Sequence, residues 1–276
     1  MKKLFFAVLV LFVSLSAFAS DTNKLYFGIE GGTYSYREPH MDTPIHDYGN
    51  KIGASFEWVG RSILSQSGLM EEEDNSFATF ELRYLNGKVD YDGFLSTTPP
   101  TPYKTSGEID WYIEGRITFG ETYDLGRQFE LWPYLGFGYR YLVNDGTNVS
   151  SSAYKRVSQY WYIPVGAKVS KTLNNGLVLT LTGEFDWLMV GKQSSDLSTD
   201  GYVDNCQPEG WGIRFGIKAE APVSKKIGVF VEPYYLMWKI QNSTNEYLLA
   251  PGPSIISLHE PFNITKEAGI RAGIYF

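Results

Sequence analysis

The 276-residue chain carries 24 Lys and Arg against 31 Asp and Glu, a formal charge of −7. With no Lys/Arg cluster, that acidic balance excludes a nucleic-acid partner, whose phosphate backbone demands basic patches. Twenty Tyr, 17 Phe and 28 Gly, with no alternation of helical and strand patterns, exclude the layered α/β architectures of soluble enzymes.

Lys2 and Lys3 precede an apolar run over residues 4–17, and Ala17-Phe18-Ala19 forms an A-x-A site before Ser20. This is the pattern of a cleaved secretory leader, residues 1–19, ahead of one domain over residues 20–276. The run is short for a membrane-spanning helix, and no other stretch approaches the roughly 18 apolar residues such a helix needs. No Cys follows the cleavage site, so a lipid anchor is not expected. Removing two lysines with the leader leaves 22 basic against 31 acidic side chains, a formal −9.

Ten stretches with period-two alternation follow. They are Lys24–Arg37, a weaker Lys51–Gly60, Phe77–Tyr91, Glu108–Gly120, Phe129–Leu142, Val157–Lys171, Leu177–Val190, Gly210–Pro222, Ile227–Ile240 and a final one ending at Phe276. In the last, Ala268, Ile270, Ala272, Ile274 and Phe276 make one apolar row, and Gly269, Arg271, Gly273 and Tyr275 make the other. Long polar connections alternate with short ones such as Tyr123–Gly126, Asn174-Asn175-Gly176 and Ser224-Lys225-Lys226, the rhythm of a membrane β-barrel. The connection 61–76, with its acidic run Glu71–Asp74, is long for its place. Either the flanking strands reach into it or the turn is decorated. Without the second stretch the even-number rule leaves eight strands as the alternative.

Parity then sorts the side chains. The lipid-facing rows carry Trp111, Trp161, Trp187 and Trp211 near one set of strand ends, and Phe119, Phe129 and Phe276 near the other: two aromatic girdles. A soluble sandwich would bury the same apolar rows, but it gives no reason for Trp to gather at one end. The inward rows hold Glu30, Glu57, Glu81, Arg83, Asp110, Glu114, Arg116, Glu130, Arg140, Lys168, Glu184, Asp186, Arg214, Lys218, Glu220, Glu232 and Arg271. Such charges cannot stay unpaired in a narrow lumen. Two outcomes stay open: a lumen closed by salt bridges, or a narrow polar conduit in which Arg140, Arg214 and Arg271 face Glu81, Glu114 and Glu232. Inward glycines, among them Gly138, leave room for water or for long side chains opposite.

Taken together, the leader, the ten amphipathic segments, the closing Gly-Ile-Tyr-Phe and stretches such as Tyr134–Tyr141 resemble the bacterial outer-membrane β-barrel domain family, in the group of small porin-like barrels. The resemblance implies an all-β, antiparallel up-and-down barrel in the outer membrane of a Gram-negative cell, with a periplasmic N-terminus. It implies lipid and lipopolysaccharide around the barrel, and the barrel-assembly machinery reading the strand that ends at Phe276. It does not fix an activity.

Ten strands is also the omptin protease count, but that family's paired aspartates and Asp-x-His element find no match. His40, His46 and His259 are all expected in external loops, and His40-Met41-Asp42 runs in the wrong order. A lipid A deacylase needs a His–Ser pair on a strand, whereas Ser257 and His259 sit beside Pro261. The histidines therefore read as ordinary solvated side chains, and no cofactor or metal is expected. Asp196, Asp200 and Asp204 depart from the calcium-loop spacing. Cys206, in an expected surface loop, is either a bystander or a cross-link to another chain. The expected function is a non-enzymatic outer-membrane barrel with a charge-closed lumen, serving envelope structure or surface contacts. The alternatives are a narrow channel for small polar solutes and, remotely, a rim enzyme.

Overall fold

A computed structural model describes residues 23–39, 44–66, 74–95, 100–197, 201–249 and 255–276. The expected leader, His40, Asp42, the acids at 71–73 and Asp200 lie outside the described residues. The strands are β1 (Asn23–Glu38), β2 (Ile45–Arg61), β3 (Ser76–Leu95), β4 (Thr101–Glu121), β5 (Tyr123–Gly126), β6 (Phe129–Asp145) and β7 (Lys155–Thr172), followed by β8 (Val178–Asp196), β9 (Tyr202–Gln207), β10 (Gly210–Pro222), β11 (Gly228–Ile240), β12 (Glu246–Leu249), β13 (Ile255–Leu258) and β14 (Asn263–Tyr275).

Ten of these close an antiparallel ring in the order β1-β2-β3-β4-β6-β7-β8-β10-β11-β14, with β14 returning to β1 and β8 paired directly to β10. The ten-strand expectation holds, and the eight-strand alternative does not. Closure leaves no open edge, the condition for placing a sheet in hydrocarbon. The last strand is anchored by reciprocal bonds between Leu25 and Phe276, 3.1 and 3.0 Å.

Most strands run further than their alternation shows, chiefly at the end remote from the termini. There β2 starts six residues early and β8 runs on to Asp196. Short β5 pairs with β6, β9 extends β8 beyond the ring, and β12 with β13 makes a separate hairpin. These three features fall where only turns and loops are expected, because segments of four to six residues carry too little alternation to stand out. The connection after β2 is a decorated turn. A helical turn at Ile63–Gln66 is fastened by the Asp74 carboxylate, which accepts from the Ser65 and Ser76 amides at 2.7 and 2.8 Å. At Asn174-Asn175-Gly176, Gly176 takes φ +83°, which only glycine adopts freely.

Parity holds around the ring. Trp161 and Trp187 are more than half exposed on the outer surface, and Trp111 and Trp211 are partly covered by neighbours such as Tyr141 and Phe185. Phe119, Phe129 and Phe276 occupy the end that holds the termini.

Candidate functional site

The inward face is the chemical centre of the molecule, and it is built in tiers. At the terminal end lies an open vestibule of about 390 Å³, its wall including Tyr26, Trp132, Lys168 and Lys218. Its charges are paired: Lys218 and Lys168 share Glu57 at 2.5 and 3.3 Å, Lys24 meets Glu220 at 3.1 Å, and Arg61 meets Glu130 at 2.7 Å.

Above it, four arginines and four glutamates alternate in a closed cycle. Arg83 holds Glu114 (3.2 Å), Glu114 holds Arg214 (2.9 Å), and Arg214 holds Glu184 (3.0 Å). Glu184 then bonds Arg116, which holds Glu81 (2.7 Å). Glu81 holds Arg271 (2.8 Å), Arg271 approaches Glu30 (3.6 Å), and Glu30 returns to Arg83 (3.0 Å). Every guanidinium touches two carboxylates and every carboxylate touches two guanidiniums, so the cycle is formally neutral. Spare carboxylate lone pairs take hydroxyls: Tyr162 donates to Glu114 and Tyr134 to Glu184, each at 2.7 Å. Buried ions need this degree of satisfaction, since desolvating each one costs several kcal/mol. Glu232 hangs from Arg271 at 3.8 Å, and Asp186 lies 4.0 Å from Arg214.

The remote half is packed differently. Arg140 bonds Glu267, which also accepts from the Tyr112 hydroxyl at 2.6 Å, and Lys51 meets Asp110 at 2.5 Å. Around them lie two apolar clusters, one of Tyr34, Tyr36, Leu85, Val89, Tyr112 and Leu142, the other of Tyr160, Tyr162, Leu188, Leu236, Trp238 and Ile240. Inward glycines give their space to rings: a Cβ on Gly138 would lie 2.1 Å from the Tyr162 ring. At the rim, Arg156 serves Asp47 at 2.9 Å and Glu38 at 3.5 Å. Glu260, in the connection before β14, is buried and accepts from Ser195; burial pushes its carboxyl above the usual glutamate range.

Of the residues singled out from sequence, Glu30, Glu81, Arg83, Glu114, Arg116, Glu184, Arg214 and Arg271 form the cycle, with Glu232 at its edge. Lys168 belongs to the vestibule. Arg140 does not meet Glu232; it bonds Glu267, which stands one residue before the apolar row of the last strand begins at Ala268. Asp47, Glu38 and Arg156 likewise lie just beyond the alternating stretches, although each continues the inward parity of its strand, and Lys51 opens the weaker second stretch.

His46 is a correction. It lies on β2 rather than in a loop, and its Nε2 stands 3.0 Å from the Ser35 hydroxyl of β1 on the outer surface. His259 is exposed, and Asp204 is held by Lys192 at 2.8 Å. Cys206 is exposed on β9.

No family model matches the chain, and no curated protein matches it. Solved structures do. Outer membrane protease OmpT from Escherichia coli is 11% identical over 93% of this chain and 96% of that one, with a TM-score of 0.54. The translocator domain of autotransporter NalP from Neisseria meningitidis is 9% identical over 98% and 95%, with a TM-score of 0.40. The Pseudomonas putida toluene transporter TodX is 10% identical over 95% and 90%, with a TM-score of 0.36. At 11% identity the OmpT likeness shows a shared outer-membrane β-barrel fold and nothing of activity; the other two likenesses carry no argument.

Proposed function

We propose that the chain is an exported, integral outer-membrane protein whose lumen is closed by its own charge pairs and whose role lies at its surfaces. It strengthens the envelope or makes contacts through the loops of the remote end. That end faces the cell exterior and the N-terminus the periplasm, with the 1–19 leader removed on export. Lipid and lipopolysaccharide surround the barrel, and the assembly machinery receives it by the strand ending at Phe276. The lumen itself carries no enzymatic chemistry on this reading.

The observation that carries it is the set of bonds across the interior. Arg140 and Glu267 join strands five places apart in a ring of ten, and Arg214–Glu114, Lys168–Glu57 and Arg156–Asp47 join strands four places apart. A barrel of this size has an interior that side chains can fill, and here long charged side chains meet in the middle. The test is single-channel recording of the refolded barrel in a planar bilayer, with heat-modifiable gel mobility as the folding control. A folded, silent barrel is expected. Stable stepwise conductance would establish the narrow-channel reading instead, with the vestibule as its mouth.

A further inference from the structure

Glu232 of β11 is poorly paired for an inward carboxylate. It accepts no hydrogen bond among the described residues, and its Oε2 is buried without a partner. Its ion-pair contact is Arg271 at 3.8 Å, a guanidinium that Glu81 already holds at 2.8 Å. Its Oε1 lies beside Gly216 of β10, where a Cβ would stand 2.9 Å away, and both residues line the terminal vestibule. Glycine thus keeps a notch open in front of an unsatisfied carboxylate oxygen.

Positive charge is in surplus elsewhere on the same wall. Lys168 of β7 and Lys218 of β10 share the single carboxylate of Glu57. Lys218 is held closely, with its ammonium also 4.4 Å from the Tyr26 ring centroid. Lys168 reaches Glu57 only at 3.3 Å, and its side chain is 19% exposed, so its ammonium keeps donors for a second anion. Between Lys168 and Glu232 the wall is low. Lys168 is the cross-strand partner of Thr182, and Thr182 of Gly216, while Ser170 pairs with Thr180 one step nearer the mouth. These small residues leave the recess of about 390 Å³, a volume typical of small-molecule pockets. The strands of Lys168 and Glu232 stand three spacings apart, about 14 Å of backbone, which two inward-leaning side chains shorten to the span of a small molecule.

We propose that the vestibule is a binding pocket for a small zwitterion carrying one ammonium and one carboxylate, the chemistry shared by a free amino acid and a dipeptide. The ammonium donates to Glu232 Oε1 in the Gly216 notch. The carboxylate accepts from Lys168 and from the Thr182 hydroxyl. Charge-assisted bonds at both ends fix the orientation of the ligand and reject solutes that lack either charge. The Arg–Glu cycle forms the floor, so the pocket is blind and holds its ligand rather than passing it. That blindness rests on the closed lumen proposed above, but binding is read by calorimetry and closure by conductance, so each can fail alone.

The test is isothermal titration calorimetry of the full-length refolded barrel with L-alanine and, separately, with L-alanyl-L-alanine. The N-acetyl and C-terminal amide derivatives of each serve as single-charge controls. Saturable binding of one zwitterion alone assigns the ligand's length, and binding of both supports recognition of the shared charges. Removing either charge should weaken binding roughly tenfold or more, the worth of one hydrogen bond to an ion. A Cβ at Gly216 meets only atoms of the Glu232 side chain within 4 Å. Gly216→Ala should therefore fold with unchanged heat-modifiable mobility and still lose affinity roughly tenfold, because the notch is filled. Glu232→Gln should erase the preference over the N-acetyl derivative and keep the preference over the amide. Lys168→Met should do the reverse, a split that mere loosening of the wall would not produce. No saturable heat with either zwitterion overturns the proposal. So do equal affinities for a zwitterion and its two derivatives, or binding untouched by Gly216→Ala.

Discussion

Arg140 on β6 and Glu267 on β14 bond across the full width of the barrel, because their strands stand diametrically opposite in the ring. No neighbouring-strand register could bring them together. The contact therefore reports the diameter of the barrel: two long side chains, both nearly fully buried, are enough to span it.

Removing one member strands the other. Arg140→Ala is expected to cost roughly 3–5 kcal/mol, because Glu267 then keeps only the Tyr112 hydroxyl as a bonded partner. Replacing the pair together, Arg140→Met with Glu267→Leu, should cost far less. Urea midpoints in lipid vesicles for both singles and the double give the cycle. A double variant that loses the sum of the two single losses would mean that the pair is not coupled.

Gly138→Val should be destabilising by overpacking, about 1–3 kcal/mol, because the Tyr162 ring occupies the space of its side chain. The displaced ring would also take its hydroxyl from Glu114. Adding Tyr162→Ala should recover part of the thermal midpoint lost by Gly138→Val. A midpoint unmoved by Gly138→Val would refute this packing.

Cys206 is exposed and is the only cysteine in the chain. If the remote end is external, a membrane-impermeant maleimide should label Cys206 in intact cells and fail to label Cys206→Ser. Labelling only after the cells are broken would invert the proposed orientation. A dimer on non-reducing gels, lost in Cys206→Ser, would show the cysteine pairing protomers.

Glu260 predicts a pH dependence at the rim. Burial raises its folded pKa above the unfolded value, so its contribution to stability is complete below the ordinary glutamate range. That contribution is lost as pH rises through the raised value. Protection of Tyr247 and Phe262 from chymotryptic cleavage should therefore fall with rising pH, and Glu260→Gln should flatten the dependence. A wild-type profile identical to that of Glu260→Gln would remove Glu260 as the cause.

Alternation and girdles made the strand core legible, because period two and aromatic placement are local signals. Strand ends were not legible. Asp47, Arg156 and Glu267 continue the inward parity, but they do so among polar neighbours where alternation fades. The members of the charge cycle could be named from parity, but their partners could not. Which arginine meets which glutamate depends on the stagger of strands such as β4 and β10, far apart in sequence. The Ser35–His46 contact was hidden for a related reason: its halves lie eleven residues apart across a β1–β2 connection, and β2 reads as beginning only at Lys51.

The Arg–Glu cycle also has a bearing on biogenesis. Arg271 belongs to β14 and supplies the link between Glu30 and Glu81, so neutrality is reached only when the last strand docks on the first. A nine-strand intermediate would hold two half-compensated carboxylates and must keep its interior wet, since drying them costs several kcal/mol. Sealing the seam and expelling water thus become one cooperative step. The contacts that complete it span nearly the whole chain, which makes that step slow.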